Sequence, residues 1–143
     1  NYPYCKNGII DYNARDKFTE SLIKEYNIKP EHCKNTRISR LSGGNQQKLV
    51  IAREVANDPD LLIAVQPTRG LDVGAIEFVH KTLVKLRDAG KAILLISLEL
   101  DEVINVSDTI SVIYDGKITG TFSQEEADEQ VIGLLMAGGK ENE

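Results

Sequence analysis

Two short apolar runs set the frame. Leu61-Leu62-Ile63-Ala64-Val65 and Ala92-Ile93-Leu94-Leu95-Ile96 contain no polar residue. A strand with one wet face alternates polar and apolar side chains, so an unbroken run of this length reads as a strand buried on both faces. Between the runs, Ile76, Val79, Leu83 and Leu86 recur at helical spacing. That spacing predicts a helix from about Gly74 to Ala89 with Gly90 as its stop. Strand, helix and strand in this order predict a βαβ unit with parallel strands, and hence an α/β core.

The flanking chain is arranged around that unit. Residues 1–12, with Pro3, Asn7 and Gly8, read as an irregular lead-in. Phe18, Leu22, Ile23 and Tyr26 predict a helix from Asn13 to Tyr26, followed by a loop from Asn27 to Arg40. A second helix is expected from about Gly44 to Ala56, with Leu49, Ala52, Val55 and Ala56 on its inner face and Asn57-Asp58-Pro59 ending it. After the second apolar run come a short helix, Leu100 to Val106, and two strands, Thr109–Tyr114 and Lys117–Phe122. The strands are joined by the hairpin-forming pair Asp115-Gly116. A last helix over Gln124–Met136 and a loose tail, 138–143, complete the reading. The expected organisation is residues 1–57 as a helical part, 58–137 as the core part and 138–143 as the tail.

Composition excludes some functions. The net charge is -5 and there is no basic block, which argues against nucleic acid as the main partner. No apolar run reaches membrane-spanning length. Cys5 and Cys33 lack metal-site spacing and read as a reduced pair, while His32 and His80 stand far apart and read as surface or structural residues. The chain opens on Asn1 and its one methionine is Met136, so a piece of a longer protein is expected.

The stretch that carries chemistry is Leu41-Ser42-Gly43-Gly44-Asn45-Gln46-Gln47-Lys48. The glycines allow close backbone approach, and Ser42 is placed to cap the helix that follows, with Asn45 three residues on. Free N–H groups and the positive end of a helix dipole at such a turn attract an anion, and the anion would be phosphate. On these residues alone, a phosphate-binding turn and a plain capped helix start are both open.

The order of motifs resembles the ATPase domain of ABC transporters. Leu41–Gln46 is similar to the ABC signature, and Leu61–Gln66 sits at the place of the Walker B strand. Gly70-Leu71-Asp72 resembles the D-loop, and Ile96–Leu100 lies at the switch-histidine loop. The resemblance runs from Ser39 to Gly120. Gly-Gly-Asn-Gln-Gln-Lys after Ser42, and Pro67 to Ala75, resemble the simple-sugar and nucleoside importers, whose ATPase subunits fuse two such domains. The resemblance implies the C-terminal part of a second domain: an incomplete P-loop-type fold with a parallel βαβ core, part of the helical subdomain, and a C-terminal hairpin and helix.

Several departures follow from the resemblance. The family's phosphate loop has the pattern Gly-x-x-x-x-Gly-Lys-Ser/Thr, and none of the Gly-Lys pairs at Gly90, Gly116 and Gly139 fits it. The Walker B acidic pair, which orders magnesium and the attacking water, is replaced by Val65 and Gln66. Valine offers no oxygen to a hard cation, and glutamine cannot take a proton. The switch histidine is replaced by Leu98. The expected consequence is a site that does not hydrolyse ATP efficiently, with no metal ligands of its own. The signature is complete, and in the family a signature closes over ATP held by another domain. Ser42, Gly43, Gly44, Asn45 and Gln46 are therefore expected to meet that partner's γ-phosphate, and Asp72 to sit at the seam.

The implied cofactors are ATP and Mg2+ in a parent protein, through a partner domain, and none for this chain alone. The implied partners are the first nucleotide-binding domain and membrane permease subunits at the cytoplasmic face of the membrane. An unpaired strand edge would also favour self-association. Two rival classes stand beside the importer: an ABC protein acting on ribosomes or DNA, and an ATP-independent dimerisation module.

Overall fold

The computed structural model describes residues 4–6 and 8–139. Pro3 and Asn7 of the lead-in, and 140–143 of the tail, lie outside the described residues. By its internal contacts the chain divides into two units. One comprises the chain up to Leu62 together with Thr68–Lys81, and the other comprises Ile63–Pro67 and the chain from Thr82 on.

The first unit begins with a correction. The expected irregular lead-in holds two short antiparallel strands, β1 (Cys5–Lys6) and β2 (Ile9–Ile10), turning at Gly8 with φ +78. Helix α1 (Tyr12–Glu25) starts where the Asp11 carboxylate accepts the N–H groups of Asn13 and Ala14, each at 3.0 Å. Ile23 and Tyr26 are buried, and the Tyr26 ring meets Phe78 edge-on at 6.1 Å. Burial, with the charge of Glu25 adding to it, pushes the Tyr26 hydroxyl above its ordinary range. The expected loop contains two 3-10 turns, Cys33–Asn35 and Ile38–Arg40. Cys5 and Cys33 are both free thiols.

Helix α2 (Gly43–Val55) is rotated from the expected face. Its buried residues are Gly44, Ile51 and Ala52, while Leu49 and Val55 are half-buried and Ala56 is exposed. The rotation follows from Gly44. A Cβ there would stand 2.9 Å from the Ala75 Cβ, so this glycine is the point at which α2 presses on the next helix.

In the second unit, β3 (Leu61–Val65), of which Leu61 and Leu62 belong to the first, pairs with β4 (Ala92–Ile96). Helix α3 (Val73–Asp88), whose residues up to Lys81 belong to the first unit, links the two strands in sequence and ends as expected at Gly90, with φ +86. Ala75, Val79 and Leu83 are its buried residues, and Ile76 and Leu86 are half-buried. The sandwiched-strand expectation fails on one face. Leu61, Ile63, Val65, Leu94 and Ile96 are 53, 56, 62, 48 and 47% exposed. Both strands therefore show an apolar face that no described element covers.

Helix α4 (Leu100–Val106), hairpin β5 (Thr109–Tyr114)–β6 (Lys117–Ser123) and helix α5 (Glu129–Met136) complete the chain. Asp115 and Gly116 turn the hairpin with φ 47 and 73. The expected last helix is broken. A 3-10 turn over Gln124–Glu126 comes first, and Asp128 then caps α5 by accepting the N–H groups of Gln130 and Val131. Ile110, Val112, Ile132 and Leu135 form the core of this unit. β4 and β5 are not hydrogen-bonded to one another. Between them opens a cleft of about 780 Å³, lined by Leu83, Ile93, Leu95, Ile110, Val112 and Ile132 among others.

Candidate functional site

The glycine turn is built by side chains holding one another. Leu41 is buried, while Ser42 and Gly43 are exposed. Ser42 has the extended backbone of a cap, but its hydroxyl makes no capping bond. It accepts instead from Asn45 Nδ2 at 2.8 Å, which corrects the expectation that it caps α2 directly. Asn45 Oδ1 accepts the Lys29 N–H at 2.8 Å. Gln46 Nε2 donates to the Leu41 carbonyl at 2.8 Å, so this side chain braces the turn. The Gln46 N–H donates to Ser42 O, which places the N–H groups of Gly43, Gly44 and Asn45 ahead of the first helical acceptor.

Asp72 lies in the same unit. Its Oδ1 accepts the Ala75 N–H at 2.9 Å, so it caps α3. Its Oδ2 stands 3.5 Å from where a Gly44 Cβ would be. The structure thus brings Ser42, Gly43, Gly44, Asn45, Gln46 and Asp72 into one neighbourhood, with two further supports. One is the Lys29 amide. The other is Lys48, whose ammonium reaches the Asn27 carbonyl at 3.3 Å and lies 4.7 Å over the Phe78 ring. Pairing of Asn45 with Lys29 has no local sequence signal, because its two ends are far apart in the chain.

Val65, Gln66 and Leu98 gather at one end of the β3–β4 pair. The Gln66 N–H donates to Ile96 O at 2.8 Å, and Gln66 holds φ 48, a left-handed backbone uncommon for a side-chain-bearing residue. Val65 and Leu98 are 62 and 70% exposed. In the turn after β4, Ser97 Oγ accepts the Glu99 N–H at 3.1 Å. This end offers an amide, a valine and a leucine, a donor set that does not fit a hard divalent cation. Among the described residues, no group of three or more His, Cys, Asp and Glu is placed to hold a metal. By contrast, the exposed Gly43 at the start of α2 and the exposed Ser42 suit a phosphate oxygen.

Comparison with known proteins places the chain among similar sequences and folds. The ABC transporter family model matches residues 5–69. The nucleoside import ATP-binding protein of Lactococcus lactis subsp. cremoris is 52% identical over 99% of this chain, which covers 28% of that relative. The xylose import ATP-binding protein of Thermoanaerobacter pseudethanolicus is 46% identical over 94% of this chain and 26% of its own length. The chain therefore spans little more than a quarter of these relatives. Among solved structures, a dimeric ATP-binding cassette in a post-hydrolysis state bound to ADP and phosphate matches with a TM-score of 0.70 and 26% identity, over 83% of this chain and 51% of that one. A second cassette of an ABC transporter shares the fold at a TM-score of 0.71 and 23% identity, over 94% of this chain and 53% of its own. No helix among the described residues is long and apolar enough to cross a membrane. In sequence over residues 5–69, and in fold, the chain matches ABC transporter ATP-binding domains.

Proposed function

We propose that the chain is the C-terminal part of the second nucleotide-binding domain of a two-domain importer ATPase for nucleosides or simple sugars. Its role is to supply the signature in trans to ATP held by the first domain. The observation that carries this reading is the contrast within one chain: a signature with its turn fully braced, and a sheet end carrying Val65, Gln66 and Leu98. ATP with Mg2+, when bound by the partner domain, supplies the transferable phosphoryl group. Ser42 and the amides of Gly43, Gly44 and Asn45 donate toward its terminal phosphate, where charge develops in the transition state. Asp72 lies at the seam of the two domains. Gln66 has no proton-accepting carboxylate, and Val65 orders no metal, so this domain's own site turns over slowly or not at all.

Permease subunits at the cytoplasmic face of the membrane are the proposed docking partners. That the relatives are nucleoside and xylose import ATP-binding proteins supports that assignment. The cleft between β4 and β5 and the exposed apolar face of β3–β4 support a further reading, that the chain alone lacks strands of its sheet and associates with itself.

Calorimetry of Mg-ATP on this chain tests the assignment, with sedimentation on the same sample. The expected result is no binding and a concentration-dependent mass above the monomer. Micromolar binding would reveal an independent phosphate site and overturn the trans-acting role. A monomer at all concentrations would overturn the self-association.

A further inference from the structure

We propose that Asn45 is a positioning residue that fixes Ser42 as a hydrogen-bond donor. The inference rests on the proposed trans role of the signature. A carboxamide has one accepting and one donating end. The Lys29 N–H can only meet the accepting end, and it lies 2.8 Å from Asn45 Oδ1. That contact decides which way the amide is turned and aims Nδ2 at Ser42 Oγ, 2.8 Å away. Ser42 Oγ thereby accepts from within the protein. Its own proton is left to point elsewhere, and the hydroxyl is exposed beside the first-turn amides of α2. The Lys29 amide is itself held in place, because Lys48 of α2 grips the preceding turn through the Asn27 carbonyl. Asn45 thus passes the fixed position of the chain after α1 to the direction of one hydroxyl proton.

Aspartate is the diagnostic replacement. It has nearly the shape of asparagine and keeps an acceptor for the Lys29 N–H. Its second oxygen can only accept, so the Ser42 proton turns inward and the donor to phosphate is lost. The test measures steady-state ATP hydrolysis by the two-domain subunit assembled with its permease, with melting curves to verify folding. Ser42→Ala is expected to lower kcat roughly 10²-fold, the usual scale for one transition-state donor. Asn45→Asp should match that loss with KM within about threefold, as expected for an interaction made mainly in the transition state. Asn45→Ala should lower kcat when Ser42 is present and add less than about twofold in the Ser42→Ala background, as for residues acting as one unit.

The outcomes separate cleanly. If Ser42→Ala is silent, the signature is not used and the underlying function fails. If Ser42→Ala costs activity but Asn45→Asp retains the wild-type rate, only the positioning role is overturned. If Asn45→Ala costs equally with and without the Ser42 hydroxyl, Asn45 acts by holding the turn to Lys29 and the inference is again overturned.

Discussion

The signature turn and the end of the β3–β4 pair differ in what has been kept. At the turn, both backbone and side chains are committed: Gln46 braces Leu41, Asn45 joins Lys29 to Ser42, and Gly44 fits against Ala75. At the sheet end, the backbone keeps a demanding shape while the side chains carry no catalytic group. Gln66 holds φ 48 and its N–H is bonded to Ile96 O, yet Val65 and Leu98 are simply exposed apolar side chains. A left-handed residue of this kind costs free energy and persists only where its surroundings hold it. On the proposed reading, the contrast teaches that backbone geometry and side-chain chemistry can be lost separately, the sheet end keeping a scaffold without its catalytic groups.

The largest expected effect comes from refilling that scaffold. Val65→Asp, Gln66→Glu and Leu98→His together should raise hydrolysis at this domain's site roughly 10²-fold in the two-domain subunit, the scale of a restored general base. The partner site is silenced first, so the readout is the remaining ATPase rate. A rate that stays at background would show that the backbone here has drifted along with the side chains, and the contrast between the two regions would collapse.

Legibility in the sequence followed locality. Apolar runs, Gly90 and Asp115-Gly116 act within a few residues, and β3, β4, β5 and the α3 stop lie where the pattern puts them. The glycine turn and the apolar sheet end could likewise be read as motifs. Three features depended on partners distant in the chain and were missed. The inner face of α2 turned because Gly44 must meet Ala75. Ser42 gave up its capping role because Asn45, held by Lys29, claimed its oxygen. The runs read as doubly buried have one open face, because an unbroken apolar run reports what a strand requires and not what is present to cover it. The α5 break was local and could have been read: Asp128 is a good cap, and a continuous helical pattern across Ala127 concealed it.

A smaller effect sharpens the signature side of the contrast. Gly44→Ala puts a methyl group 2.9 Å from the Ala75 Cβ, and overpacking of this kind costs about 1–3 kcal/mol. Urea denaturation of the chain should show a lowered midpoint with an unchanged slope. Adding Ala75→Gly removes the opposing methyl and should recover more than half of the loss, offset by the cost of a glycine in the first turn of α3. If Gly44→Ala leaves the midpoint unmoved, α2 and α3 have room to separate, and Gly44 is there for a ligand and not for packing.

Asp72 gives the smallest and most discriminating effect, because it has a visible structural task and a proposed functional one. Its carboxylate caps α3 through the Ala75 N–H. Asp72→Ala should therefore cost about 1 kcal/mol in the same denaturation measurement, whereas Asp72→Asn, an equally good cap, should stay within a few tenths, ~0.3 kcal/mol. Hydrolysis by the two-domain subunit then separates the tasks. A carboxylate working at the domain seam predicts that Asp72→Asn loses activity severalfold while its stability is intact. If Asp72→Asn retains full activity, the charge has no part in the seam: Asp72 is a helix cap alone, and the functional neighbourhood in this part of the chain shrinks to the turn from Ser42 to Gln46.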